Sequence, residues 1–140
     1  MKEICLKIQA DKQYLKYIDD VLLQTLKLFN SDLASRFHFA LHEIIINSIQ
    51  AAERDNGKND NTVIITVGKD NNEIRASVMD MFGGMKETKE VSKKISKERI
   101  FEENGRGILF IKEIVDEYSW ELDDNGSFTV HIVMKIDDKC

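Results

Sequence analysis

The chain has 140 residues, the length of one domain, and its 42% apolar and 32% charged residues suit a soluble globule rather than a disordered chain. Twenty basic residues against 25 acidic ones leave a net charge of −5, which argues against a general nucleic-acid or membrane-surface binder. Two cysteines, Cys5 and Cys140, are too few for a disulfide framework or a cysteine-based zinc site. The start, Met1-Lys2-Glu3-Ile4, has no apolar signal core, and the longest apolar runs (Ile44 to Ile46, Ile108 to Ile111) fall far short of a membrane span. A cytoplasmic, acidic, single-domain protein is expected.

Residues 3–9 alternate, with Ile4, Leu6 and Ile8 on one side, and read as a half-buried strand. From Asp11, a plausible N-cap, the period becomes helical: Tyr14, Ile18, Val21, Leu22, Thr25, Leu26 and Phe29. Asn30-Ser31-Asp32 breaks this helix and offers caps for a second, from about Leu33 to Arg54, which Asp55-Asn56-Gly57 ends. Thr62 to Val67 and Ile74 to Met79 form a hairpin around Asp70-Asn71-Asn72. Residues 85–104 show no sustained apolar period. A third helix starts around Gly107, with Ile108, Ile111, Ile114 and Val115 on one face. Tyr118 to Leu122 and Phe128 to Ile136 then make a second hairpin around Asp123-Asp124-Asn125-Gly126. The order β-α-α-β-β-loop-α-β-β predicts an α+β, two-layer α/β sandwich: a mixed, mostly antiparallel sheet with three helices on one face. The polar loop is long for a compact domain, and such loops are more often functional than incidental.

Four places could carry chemistry. In the second helix Leu33, Phe37, Leu41, Ile44, Ile45, Ser48 and Ala52 form an apolar stripe, and Glu43 and Asn47, one turn apart, share its shoulder, half buried. A carboxylate there can act as a general base and an amide oxygen can hold a divalent cation. On its own the pair reads more readily as a solvated shoulder beside Arg36, Gln50 and Arg54, because a Glu-x-x-x-Asn spacing is common by chance. Asp80 ends an apolar strand and is followed by Gly83 and Gly84, so a carboxylate stands at a turn that a ligand can approach closely, able to accept a hydrogen bond from an exocyclic amine; an ordinary strand exit has the same composition. Gly105-Arg106-Gly107 leads straight into an apolar helix, a backbone fit for wrapping an anion at a helix start, or simply a flexible entry. Residues 86–99 carry six basic residues against three acidic ones, a local +3 that suits a triphosphate lid as well as a solvated segment. His38, His42 and His131 lack metal spacing with any carboxylate pair and read as structural, and no Ser-His-Asp or Cys-His arrangement can be argued.

Taken in order, Glu43-x-x-x-Asn47, the strand ending in Asp80-x-x-x-Gly84, the polar loop, Gly105-Arg106-Gly107 and the closing Asn125-Gly126 with Thr129 resemble the ATP-binding boxes of the GHKL superfamily, the Bergerat-type fold of gyrase, histidine-kinase and mismatch-repair ATPases. The short length and the leading strand and long helix resemble, within it, the anti-sigma factor serine/threonine kinases. Gly105 to Lys112, continuing through Val115-Asp116-Glu117 to Asn125-Gly126-Ser127, is the closest local match, and the resemblance spans nearly the whole chain. The tract Ser48-Ile49-Gln50-Ala51 is as similar to the gyrase and mismatch-repair box, but those enzymes are much larger.

The resemblance implies roles. Glu43 would be the general base for an attacking hydroxyl and Asn47 the magnesium ligand. Asp80 would receive the adenine amino group and Gly84 would let backbone close on the nucleotide. Gly105, Arg106 and Gly107 would cradle phosphates, and Thr129, or Ser127 in the other register, would lie beneath the base. The cofactors implied are ATP and Mg2+, with a lid at about 85–104. The partners implied are an anti-anti-sigma protein as substrate, a sigma factor in the alternative complex, and a second copy of the chain. One box departs from the pattern: Phe82 stands at its first glycine position and Gly83 falls one residue late, which predicts a reshaped adenine pocket. That departure keeps a second reading open, a catalytically weak or inactive module of the same fold that regulates by sequestering a protein. A detached ATP-binding domain serving a histidine-phosphotransfer partner would want a dimerisation coiled coil or a phosphoacceptor helix, and the sequence suggests neither.

Overall fold

The computed structural model describes residues 2–55, 61–81 and 105–136, the side chains of Asp55 and of residues 105–109 excepted. Eight elements follow in chain order: β1 Lys2–Gln9, α1 Lys12–Phe29, α2 Ala34–Asp55, β2 Thr62–Lys69, β3 Glu73–Asp80, α3 Gly105–Ile114, β4 Glu117–Leu122 and β5 Phe128–Lys135. The expected lid, with Phe82, Gly83 and Gly84, lies outside the described residues, as does Cys140.

Local chemistry explains most of the boundaries. Asp11 caps α1, its Oδ1 accepting the Gln13 N–H at 3.0 Å. Asn30 closes α1 through its own N–H on the Leu26 carbonyl, and its Oδ1 accepts from the N–H groups of Asp32 and Leu33 to open α2. In the β4–β5 turn Gly126 has φ of 90°, a left-handed conformation that costs glycine nothing and most residues a steric clash.

In the β2–β3 turn Asp70 Oδ1 accepts from the N–H groups of Asn72 and Glu73, while Arg75 donates to Oδ2 at 3.0 Å. The Asn72 N–H is the largest cause holding the Asp70 carboxyl below its ordinary value, against an opposing desolvation cost and with help from Glu73 and Arg75. A depressed native pKa means that the turn's stabilisation is complete above the unfolded-state pKa and is lost as pH falls through the native one. In an NMR acid titration the Asn72 and Glu73 amides should therefore move with a midpoint below the usual aspartate range. Asp70→Asn should abolish that titration while leaving the hairpin formed.

The sheet order is β1-β2-β3-β5-β4. All four described pairings are antiparallel, so the expected mixed sheet is corrected: no parallel ladder exists among the described strands. The connection carrying α3 does make β3 and β4 run in the same direction, but β5 inserts between them and pairs with both. Gln9, Thr62, Asp80 and Phe128 lie at one end of the sheet; Lys2, Lys69, Ile74 and Met134 lie at the other.

One face of the sheet carries Val63, Ile65, Val67, Ile74, Val78, Val130 and Ile132, all at most 5% exposed, and the helices pack there. The three helices are ordered α1, α2, α3, with α2 touching both of the others and resting on β3 and β5. Two contacts fix their directions. Lys69 Nζ donates to the Phe29 carbonyl, placing the C-terminus of α1 at the Lys69 end of the sheet. Lys12 pairs with Glu53 at 3.2 Å, bringing the start of α1 beside the end of α2. Helix α2 therefore climbs from the Lys69 end toward the Asp80 end.

The two long helices differ from their sequence patterns in one respect. Ile18, Leu22, Leu26 and Phe29 of α1 are buried as expected, but Tyr14 and Val21 are 39% and 45% exposed and point away from the core. Between α1 and α2, His42 Nδ1 donates to Asp19 Oδ1 at 2.7 Å and His38 Nε2 to the Asp19 carbonyl at 3.1 Å. His131 meets Glu121 on the open face of the sheet. All three histidines thus have carboxylate or carbonyl partners, and no group of three metal-ligating side chains among the described residues is arranged to hold a metal. No helix among the described residues is long and apolar enough to cross a membrane.

Candidate functional site

Glu43 and Asn47 sit one turn apart on α2, on the shoulder turned away from α1's histidine contacts. Glu43 is half-buried. Asn47 goes deeper than its expected half-buried position, to 8% exposure, because its shoulder slopes into the packing of α2 on the sheet. Since α2 climbs toward the Asp80 end, Asn47 stands nearer that end than Glu43 does.

The amide oxygen of Asn47 is the telling atom. Its Oδ1 is buried and has no hydrogen-bond partner among the described residues. A buried carbonyl left unpaired costs about 1–3 kcal/mol, so a fold keeps one where a ligand repays it. An amide oxygen is a hard donor suited to a cation such as Mg2+.

Asp80 ends β3 on the helix-covered face, in line with Ile74, Ala76 and Val78, and is 1% exposed. A carboxyl group so deeply placed at a strand terminus needs polar partners there, and Asp80 is not without one. From Asp80 the chain leaves the sheet at this end and returns through α3 to the opposite end, where Asp116 N–H donates to the Val133 carbonyl. Gly105-Arg106-Gly107 forms the first turn of α3, the part of that helix the chain reaches first on its return. A ten-residue helix presents unpaired N–H groups at such a start, where an anion is stabilised.

Thr129 does not join this group. It pairs with Met79, not with Asp80, and strand alternation turns it to the open face of the sheet. The residue opposite Asp80 on the same face is Phe128, 1% exposed, its ring 5.6 Å from that of Trp120. The alternative register fares no better: the Ser127 hydroxyl donates to Asp123 Oδ2 at 3.0 Å and belongs to the hairpin turn. The aromatic floor beside Asp80 was missed in the sequence because pairing register depends on which strand is the neighbour. The alternation of Phe128, Val130, Ile132 and Met134 was the available signal for the face. Gly84 lies outside the described residues, as does the side chain of Arg106.

The residues present fit a magnesium nucleotide: a buried amide oxygen with no partner among the described residues, a half-buried carboxylate one turn away, and a buried carboxyl group at a strand end. No curated protein matches the chain. Residues 8–134, from the end of the first strand to the last, match the family described as Histidine kinase-like ATPase domain. That match covers every described element but most of β1, and with the antiparallel sheet and its single helical layer it settles the family: the chain belongs to the histidine kinase-like ATPases.

Proposed function

We propose that the protein binds ATP with Mg2+ and transfers the terminal phosphoryl group to a serine or threonine of an anti-anti-sigma protein. We further propose that it holds a sigma factor in the alternative complex, acts as a homodimer in the cytoplasm, and controls transcription by exchanging partners. The observation that carries the nucleotide part is the buried Asn47 Oδ1, which has no hydrogen-bond partner among the described residues. The partner assignments rest on the likeness of the sequence to anti-sigma factor kinases.

In this reading Asn47 holds the metal and Asp80 accepts a hydrogen bond from the exocyclic amine of adenine. The backbone N–H groups at the start of α3 face phosphate oxygens. Glu43 orients the incoming hydroxyl and accepts its proton. Bound magnesium would neutralise charge on the transferring phosphoryl group, and the residues otherwise act by positioning.

Phe128 opposite Asp80, with Phe82 in the glycine box, favours the second reading, a module that sequesters a partner without catalysis. Calorimetry separates the two. Wild-type protein should bind ATP only with Mg2+ present, and Asp80→Ala should weaken binding by about 10- to 100-fold, the loss of one hydrogen bond to a charged group. Absence of binding at about millimolar nucleotide would remove the kinase and leave the sequestering module.

A further inference from the structure

Helix α1 has a second apolar stripe that the core does not use. Tyr14, Tyr17, Val21 and Leu28 are 39%, 73%, 45% and 86% exposed, and with exposed Gln24 they recur at alternating steps of three and four residues. That is the a/d spacing by which one helix packs along another at a shallow angle. Four of the six exposed large apolar side chains among the described residues lie on this one line, so it is not scattered surface greasiness. One flank of the stripe carries Asp20 and Lys27, one heptad apart, both exposed and without an ion-pair partner among the described residues.

We propose that this face of α1 pairs antiparallel with the same face of a second copy of the chain, about a two-fold axis between Val21 and Gln24. The choice of occupant follows from charge and symmetry. An isologous contact must be its own complement. In this register Val21 meets Gln24 of the second copy, Tyr17 meets Leu28, and each is repeated by the two-fold. The same register sets Asp20 against Lys27 of the second copy, twice, on the flank of the central layers. A parallel pairing would set neither charge against its opposite. Gln24, the one polar group in the stripe, lies beside the axis, where a polar side chain fixes register at some cost in affinity. The contact spans about 16 Å of helix and belongs to the weak class of interfaces, with a dissociation constant in roughly the micromolar range.

The inference rests only on the homodimer part of the function proposed above, and none of Glu43, Asn47, Asp80 and the start of α3 lies on α1. Sedimentation equilibrium of the full chain over a concentration series tests it, with far-UV circular dichroism to check that each surface variant is folded. Wild type should show a monomer–dimer equilibrium. Leu28→Glu, Asp20→Lys and Lys27→Asp should each raise the dimer dissociation constant by about tenfold or more. The double exchange Asp20→Lys with Lys27→Asp should return it to within about twofold of wild type. A dimer indifferent to Leu28→Glu, or a double exchange as weak as the single ones, overturns the α1 surface while leaving a homodimer standing. A protein monomeric at every concentration overturns the surface and the homodimer together. ATP binding measured on the same samples should not change with any of these variants, so the nucleotide reading stands or falls separately.

Discussion

Asn47→Leu is expected to leave the fold as stable as wild type or more stable by about 1–2 kcal/mol, while abolishing magnesium-dependent ATP binding. The two results come from one atom. In wild type Asn47 Oδ1 is buried without a hydrogen-bond partner among the described residues, and that desolvation is not repaid within them. Leucine keeps the branch at Cγ and removes the polar atoms, so the cost disappears while the apolar packing of α2 on the sheet is preserved or extended. The same change removes the only ligand the chain is proposed to give the metal from this helix. Chemical denaturation without nucleotide measures the first effect, and calorimetry with ATP and Mg2+ measures the second. A loss of more than about 2 kcal/mol on substitution would show that the amide is a structural group and that its orphan oxygen says nothing about a ligand. Stability at the expense of function is the usual signature of a polar group kept for binding.

Glu43→Gln should separate binding from chemistry. The glutamine is nearly isosteric and still half-buried on the shoulder of α2, so ATP affinity should stay within about threefold of wild type. It cannot accept the proton of an attacking hydroxyl, and removal of a general base typically lowers the rate by about 10²- to 10⁴-fold. Single-turnover transfer from radiolabelled ATP to a serine-bearing partner protein is the measurement, because it isolates the chemical step from product release. Transfer at the wild-type rate would remove Glu43 from the role of base. Equal losses of binding and transfer would make it a positioning residue for the nucleotide.

Much of this architecture was legible in the chain. Hydrophobic period separates the strands from the helices at every described element because one face of each must be buried: alternation in residues 3–9 and 128–135, a 3.6-residue stripe in α2. Caps and turns were legible for a local reason, since Asp11, Asn30, Asp70 and Gly126 act on neighbours within a few residues. The boundaries of α2 and of the β2–β3 hairpin fall within two residues of expectation on the same ground.

Other features depend on contacts between distant segments. Tyr14 and Val21 fit a helical apolar pattern, but a helix with two apolar lines has no local signal for which one meets the sheet; contact with α2 decided it for Ile18, Leu22 and Leu26. Sequence order sets Thr129 just after the closing Asn125-Gly126, whereas its face is set by pairing with Met79 on a strand some fifty residues earlier. The mixed sheet failed because β5 inserted between β3 and β4, a choice made by the whole sheet. Spacing along single segments was enough to locate the elements and their caps and to single out Glu43, Asn47 and Asp80 as candidates. Long-range packing alone leaves the Asn47 oxygen buried without a partner among the described residues, puts Phe128 rather than Thr129 beside Asp80, and turns one stripe of α1 outward. Burial and register are properties of neighbours brought together from distant parts of the chain, and no window of sequence contains them.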